Sequence, residues 1–245
     1  MDIKALAQKY EPYIIERRRY FHAHPELSFK EWETTKALVA EFEKMGMEIQ
    51  TFPDYPGLIA TLDTGKPGRT VMLRADIDAL PVKEGTGLDF ASQNEGVMHA
   101  CGHDNHMAML LGAAHILLEK KDELKGKVKF LLQSGEEMAC GAKYYVDHHI
   151  LDGVDAIFGQ HVCPSENDTV GRMQLYKGYF TSAVDLFHIA VHGKSGHGSA
   201  PHTAHDAIAC AGYLITALQT VVSRRIDPMD SAVLTVGTMS GGDAV

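Results

Sequence analysis

Nine consecutive positions, Met98-His99-Ala100-Cys101-Gly102-His103-Asp104-Asn105-His106, carry a thiol, three imidazoles and a carboxyl. Glu136-Glu137 and His161 follow at strand-like spacing. A thiolate, imidazoles and carboxylates together are the ligand set of a transition-metal site. Each downstream group comes just after an apolar run that reads as a buried strand: residues 128–132 before the glutamates, 156–158 before the histidine. Loops at the ends of such strands converge on one crevice in an open α/β sheet. Neighbouring side chains point in different directions, so one of the two glutamates can bind metal while the other faces a substrate.

Cys101 and His103 are two apart, a spacing that would not share a helical face. On a loop at a helix entrance, Gly102 lets both point inward. Asp76 and Asp78 follow a short apolar run, residues 70–74, in the same kind of position as the glutamates. Asp76 is the better candidate for a carboxylate that orients a histidine ligand, and Asp78 reads as a helix or turn cap. His197 lies between Gly196 and Gly198 in a Gly-rich stretch, as a substrate-contacting loop requires. It is too far along the chain, across a change in character, to be a ligand by the strand-end argument. His99 and His106 lie near the cluster without an assigned role. His22, His24, His148, His149, His188 and His205 read as surface or packing residues.

The elements that position these groups alternate. Helices are expected over residues 3–22 and 30–46, a hairpin over 48–53 and 57–63, and a strand over 70–74. A helix rich in small residues follows over 103–118, then a strand at 128–132, a helix at 141–148 and a strand at 156–161. This pattern predicts an α/β fold with a mostly parallel sheet flanked by helices. Near Gly178 the character changes. A half-exposed strand over 182–192, a long helix over 204–223 and a strand over 232–237 predict the start of a smaller α+β domain. The expected boundaries are 1–178 and 179–245.

The 245 residues carry a formal net charge of −9, which argues against nucleic acid as the main partner. An apolar fraction of 45% supports a sizeable core. The four cysteines, Cys101, Cys140, Cys163 and Cys210, form no C-x-x-C pair and no disulfide framework. The N-terminus lacks an apolar signal-peptide core, and no apolar run is expected to reach membrane-spanning length. A reducing cytoplasm, with no membrane partner, is the resulting expectation.

The chain resembles the dinuclear metal-dependent amidohydrolases related to aminoacylase, hippurate hydrolase and the hydrolases of indole-acetic acid–amino acid conjugates. The motifs that carry the resemblance are His24-Pro25-Glu26-Leu27, Arg74-Ala75-Asp76-Ile77-Asp78-Ala79-Leu80-Pro81, Met98 to Asp104, Gly135-Glu136-Glu137, Gly159-Gln160-His161 and Gly196-His197-Gly198. The resemblance implies a catalytic α/β domain interrupted by a smaller lid domain that makes a homodimer or higher homo-oligomer. It implies two divalent ions, Mn or Zn with Co or Ni as alternatives, bridged by Cys101 and further held by His103, Glu137 and His161. Glu136 is then the general base, and His197 reaches the site of the other subunit. The implied reaction is hydrolysis of the amide bond of a small N-acyl amino acid. Family members continue beyond position 245 and supply one more histidine ligand, so residues 1–245 alone are expected to bind metal weakly. The competing readings are a cysteine hydrolase using Cys101 with His103 or His106, and a non-catalytic metal-binding or dimerisation module.

Overall fold

A computed structural model describes residues 2–163, 171–175, 177 and 183–242. Contacts divide the chain into two compact units, residues 1–177 and 178–245. The first opens with α1 (Ile3–Ala23) and α2 (Trp32–Lys44), followed by the strands β1 (Glu48–Phe52), β2 (Tyr55–Asp63) and β3 (Thr70–Asp76). Then come α3 (His103–Glu119), β4 (Lys127–Gln133), α4 (Gly141–Asp147) and β5 (Ala156–Gly159). The spatial order is β1-β2-β4-β3-β5.

The α/β class expected from the sequence is what folds, and its sheet is mixed. β1–β2 and β2–β4 pair antiparallel, while β4–β3 and β3–β5 pair parallel. The hairpin supplies the antiparallel half. The parallel half is the part that matters for chemistry, because β3, β4 and β5 all end on one side.

Strand alternation sorts the core into two layers. Leu58, Ala60 and Leu62 of β2 and Phe130 and Leu132 of β4 face Phe21, Leu38, Phe42, Met107 and Leu111 from the three long helices. Ile59, Met72 and Leu131 point the other way, onto Phe52 and Tyr145. The small residues of α3 serve a helix contact as well as the sheet. A Cβ on Gly112 would lie 2.4 Å from Ile14 Cδ1 of α1.

In the second unit the long helix forms as α5 (Ala207–Arg225), with the Asp206 carboxylate accepting from the Ala209 amide at its N-terminus. By length and composition this 19-residue helix is apolar enough to cross a membrane, contrary to the expectation that no run would reach that length. The strands expected over 182–192 and 232–237 are not formed among the described residues, which show a single bridge, Lys194 to His205. Residues 182 and 178–180 lie outside the description. A strand exists only through its hydrogen-bonded neighbour, and Val184 and Leu186 instead stand exposed.

Candidate metal and catalytic centre

The carboxyl ends of the parallel strands hold the chemistry. β3 ends in Asp76 and leads to Asp78, β4 leads through Ser134-Gly135 to Glu136 and Glu137, and β5 leads to His161. The fourth arm enters from α3. Gly102 caps that helix with φ +94°, a left-handed conformation that glycine adopts freely. It turns the chain so that Cys101 precedes the helix and His103 begins it. A Cβ there would lie 2.5 Å from Val162 Cγ2, so this glycine also lets the post-β5 loop press against the helix entrance.

Donor atoms gather closely. Cys101 Sγ lies 3.2 Å from His161 Nε2. His103 Nε2 lies 3.7 Å from Glu137 Oε1 and 3.9 Å from Glu136 Oε2. The sets Cys101–His103–His161 and His103–Glu136–Glu137 each bring their ligand atoms within 4.8 Å of one another. Both candidate histidines present Nε2 because Nδ1 is occupied. His103 Nδ1 donates to the Asp78 carbonyl at 2.8 Å, and His161 Nδ1 donates to the Val162 carbonyl at 2.6 Å. A backbone carbonyl on one ring nitrogen selects the tautomer whose other nitrogen carries a lone pair.

The centre fits divalent metal ions. His103 Nε2 and Glu137 Oε1 are buried without a hydrogen-bond partner, which is costly unless something binds there. Burial, reinforced by the charges of Glu137 and Glu136, pushes the Cys101 thiol up to about 12. Burial and the nearby Glu136 and Asp78 carboxylates raise Glu137, with Cys101 and His103 pulling the other way. Burial would lower His103, but the hydrogen bond and charge of Asp78, with Asp76 and Glu137, raise it. Excess negative charge around a thiol is relieved by a cation.

The supporting carboxylates divide their tasks differently from the sequence reading. Asp78 is more than a turn cap. Its Oδ2 accepts from Ser28 Oγ at 2.7 Å and from the Glu137 amide at 2.9 Å, while its carbonyl holds His103. Asp76 bonds His106 instead, Oδ1 to Nδ1 at 2.5 Å, and its Oδ2 lies 3.6 Å from His103 Nε2. Burial would raise the Asp76 carboxyl, but the His106 hydrogen bond and the charges of Arg74 and the histidines hold it well below the usual range. His22 is neither surface nor simple packing. It is buried and bonds Asp104 at 2.8 Å, an α3 carboxylate that also pairs with Arg18 at 2.8 Å.

Sequence reasoning missed Glu31. It sits at the start of α2, yet its carboxylate does not cap that helix; Glu26 does so, accepting from the Thr34 amide at 2.7 Å. Glu31 crosses to the β4 loop instead. Ser134 Oγ donates to both its oxygens, at 2.9 and 2.8 Å, and the Gly135 amide donates at 3.0 Å. Nothing in the helical pattern of residues 30–46 marks this role, because it depends on a partner 103 residues away.

Burial raises Glu31 from 4.5 to about 7, and the hydrogen bonds from Ser134 and Gly135 offset only part of it. The folded state therefore holds this proton more tightly than the unfolded chain, and stability falls as pH rises from 4.5 to 7. A rise of that size corresponds to about 3 kcal/mol. Glu31→Gln removes the titration. Its stability relative to wild type, followed by urea melts in a pH series, should increase across this window and level off above it. A difference that does not change with pH would show that Glu31 is not held above its ordinary value.

In the second unit, His197 is exposed, and its Nδ1 accepts from the Ser199 amide at 3.2 Å and lies 2.8 Å from Ser199 Oγ. A Cβ on Gly193 would lie 2.4 Å from the His205 carbonyl, so the loop before His197 needs glycine for its close backbone approach.

A thiol–imidazole–carboxylate crevice at the ends of parallel strands marks an α/β protein with a candidate metal centre. The chain belongs to peptidase family M20/M25/M40, whose family model matches residues 72–244. It is 44% identical over 232 residues to an N-acetyl-L-cysteine deacetylase of Bacillus subtilis, covering 95% of this chain and 55% of the relative. A putative aminohydrolase from methicillin-resistant Staphylococcus aureus superposes with a TM-score of 0.80 at 42% identity, over 100% of this chain and 66% of that one. A dinuclear metal-binding peptidase of the M20 family from Bacillus subtilis superposes with a TM-score of 0.61 at 45% identity, over 66% and 44% of the two chains. The chain spans 52–65% of the length of curated relatives of this kind.

Proposed function

We propose that this chain carries the metal-binding and proton-transfer groups of an amidohydrolase acting on small N-acyl amino acids. The observation that carries the reading is the donor cluster itself. Cys101 Sγ and His161 Nε2 stand 3.2 Å apart beside a buried, unpartnered His103 Nε2 and Glu137 Oε1. Similarity to a deacetylase of N-acetylcysteine supports the substrate class. In this reading residues 1–178 form the metal-binding domain, and residues 179–245 begin the lid through which copies associate.

Cys101, His103, Glu137 and His161 would hold two divalent ions of the Mn or Zn kind. When bound, such ions make a water acidic enough to attack near neutral pH and polarise the amide carbonyl. Glu136 is the proton carrier. Its side chain is 39% exposed, against 18% for Glu137, so it faces the open side of the crevice. It takes the proton from the attacking water and returns it to the departing amine. Asp78 holds Glu137 and His103 in place, and His197 of a second copy completes the site by stabilising the oxyanion.

A nucleophilic Cys101 would need a depressed pKa, the opposite of the raised thiol found here. The test is a screen of N-acyl amino acids against the full-length protein, first with chelator, then with Mn, Zn or Co restored. Hydrolysis should stop on chelation and return with one of the ions. Hydrolysis that survives the chelator but not a thiol alkylator would transfer the chemistry to Cys101.

A further inference from the structure

β5 is a four-residue strand at the edge of the sheet, with Ile157 and Phe158 largely exposed, so side-chain packing supports it weakly. Yet the loop after it must aim His161. A run of hydrogen bonds through side chains reaches that loop from the sheet. Arg74 Nε donates to Gln133 Oε1 at 2.8 Å, and Arg74 Nη1 donates to Asp76 Oδ2 at 2.7 Å. His106 Nδ1 donates to Asp76 Oδ1 at 2.5 Å, and the Val162 amide donates to His106 Nε2 at 2.9 Å. The run ties together the ends of β4 and β3, the first turn of α3 and the loop after β5. Asp76 and His106 are both buried.

The two ring nitrogens of His106 are thus both committed. With the proton on Nδ1 facing a carboxylate, the only lone pair is on Nε2, and a peptide N–H uses it. The atoms of His106, Asp76 and His103 lie within 4.8 Å, close enough to form a metal cluster on distance alone. His103 is different in kind, because its Nε2 is buried and unpartnered. The Val162 side chain is also seated against Gly102, so a shift at Val162 would disturb the Cys101 and His161 arms together.

We propose that His106 is a positioning residue that binds no metal. By accepting the Val162 amide while donating to Asp76, it fixes the backbone next to His161 and aims His161 Nε2 at Cys101 Sγ. The proposal rests on reading Cys101 and His161 as ligands.

Two variants separate the hydrogen bond from the ring's volume. His106→Phe fills the space and accepts nothing, whereas His106→Gln keeps an acceptor within reach of Val162. In metal-free full-length protein, hydrogen exchange read by mass spectrometry on a peptide spanning residues 157–163 should be at least about tenfold faster in His106→Phe. It should return toward wild type in His106→Gln. Equal rates in His106→Phe and wild type would overturn the proposal. In a cobalt titration, His106→Phe should bind as many ions as wild type. One of them should bind about 10–100-fold more weakly, with an altered thiolate-to-cobalt absorption, the effect of losing an outer support. Loss of a whole ion in both variants would make His106 a ligand and overturn the proposal as well. Wild-type protein that binds no cobalt would sink the metal reading alone, and the exchange measurement would still decide the role of His106.

Discussion

Glu136→Gln is expected to lower turnover of an N-acyl amino acid by about a hundredfold or more, the scale of losing a general base, while metal content stays at the wild-type level. Glutamine keeps the size and the outward position of the side chain and removes the proton acceptor. Glu137→Gln should behave differently. Its backbone amide is held by Asp78 at 2.9 Å and its Oε1 is buried without a partner near His103, so its loss should reduce metal content along with rate. Element analysis and single-turnover rates on the same preparations separate the two effects. If Glu136→Gln hydrolyses substrate at the wild-type rate, the proton-transfer role is wrong, whatever the metal does.

That the adjacent glutamates leave a strand end and come close to His103 was legible in the sequence because strand ends have a simple geometry. A charged pair just beyond the strand that residues 128–132 form cannot remain in a buried strand, so it must reach solvent or a ligand. Gly102 was legible in part: a glycine between two donors at a helix entrance was expected to let both point inward, and the structure shows how, through a left-handed φ of +94°. Asp78 and Glu31 were not legible in this way. Their partners, the Glu137 amide and Ser134, lie 59 and 103 residues away. No local period encodes which of two nearby carboxylates meets which imidazole.

The sheet shows the same boundary between local and non-local information. Each strand of the first unit could be found from its own residues, but the antiparallel placing of β2 against β4 is a long-range choice. The parallel β3–β4–β5 arrangement follows from the intervening helices, which return the chain to the same end. In the second unit α5 forms over Ala207–Arg225, where a long helix was expected over 204–223, and Asp206 caps it. Among the described residues, the alternating segment ending at residue 192 has a strand's pattern without a strand's partner. Pattern states what a segment can become, and pairing decides whether it does.

Cys101→Ala should weaken binding of zinc or cobalt by more than about a hundredfold, beyond the range expected for an outer support. The reason is electrostatic as much as geometric. With no cation present, burial and the Glu137 and Glu136 carboxylates push the thiol up to about 12, so near neutral pH it carries its proton. Only the thiolate ligates, so the first ion bound through it must release that proton. Wild-type affinity should therefore rise steeply with pH through the neutral range, because every step upward lowers the cost of deprotonation until the thiol's own value is passed. Cys101→Ala should lose both the affinity and one released proton, leaving a flatter dependence. Zinc titrations in two buffers of different ionisation heat count the protons directly, and a cobalt titration shows whether thiolate absorption accompanies binding. Full metal occupancy and an unchanged proton count in Cys101→Ala would remove the thiolate from the centre. Binding would then rest on His103, Glu137 and His161.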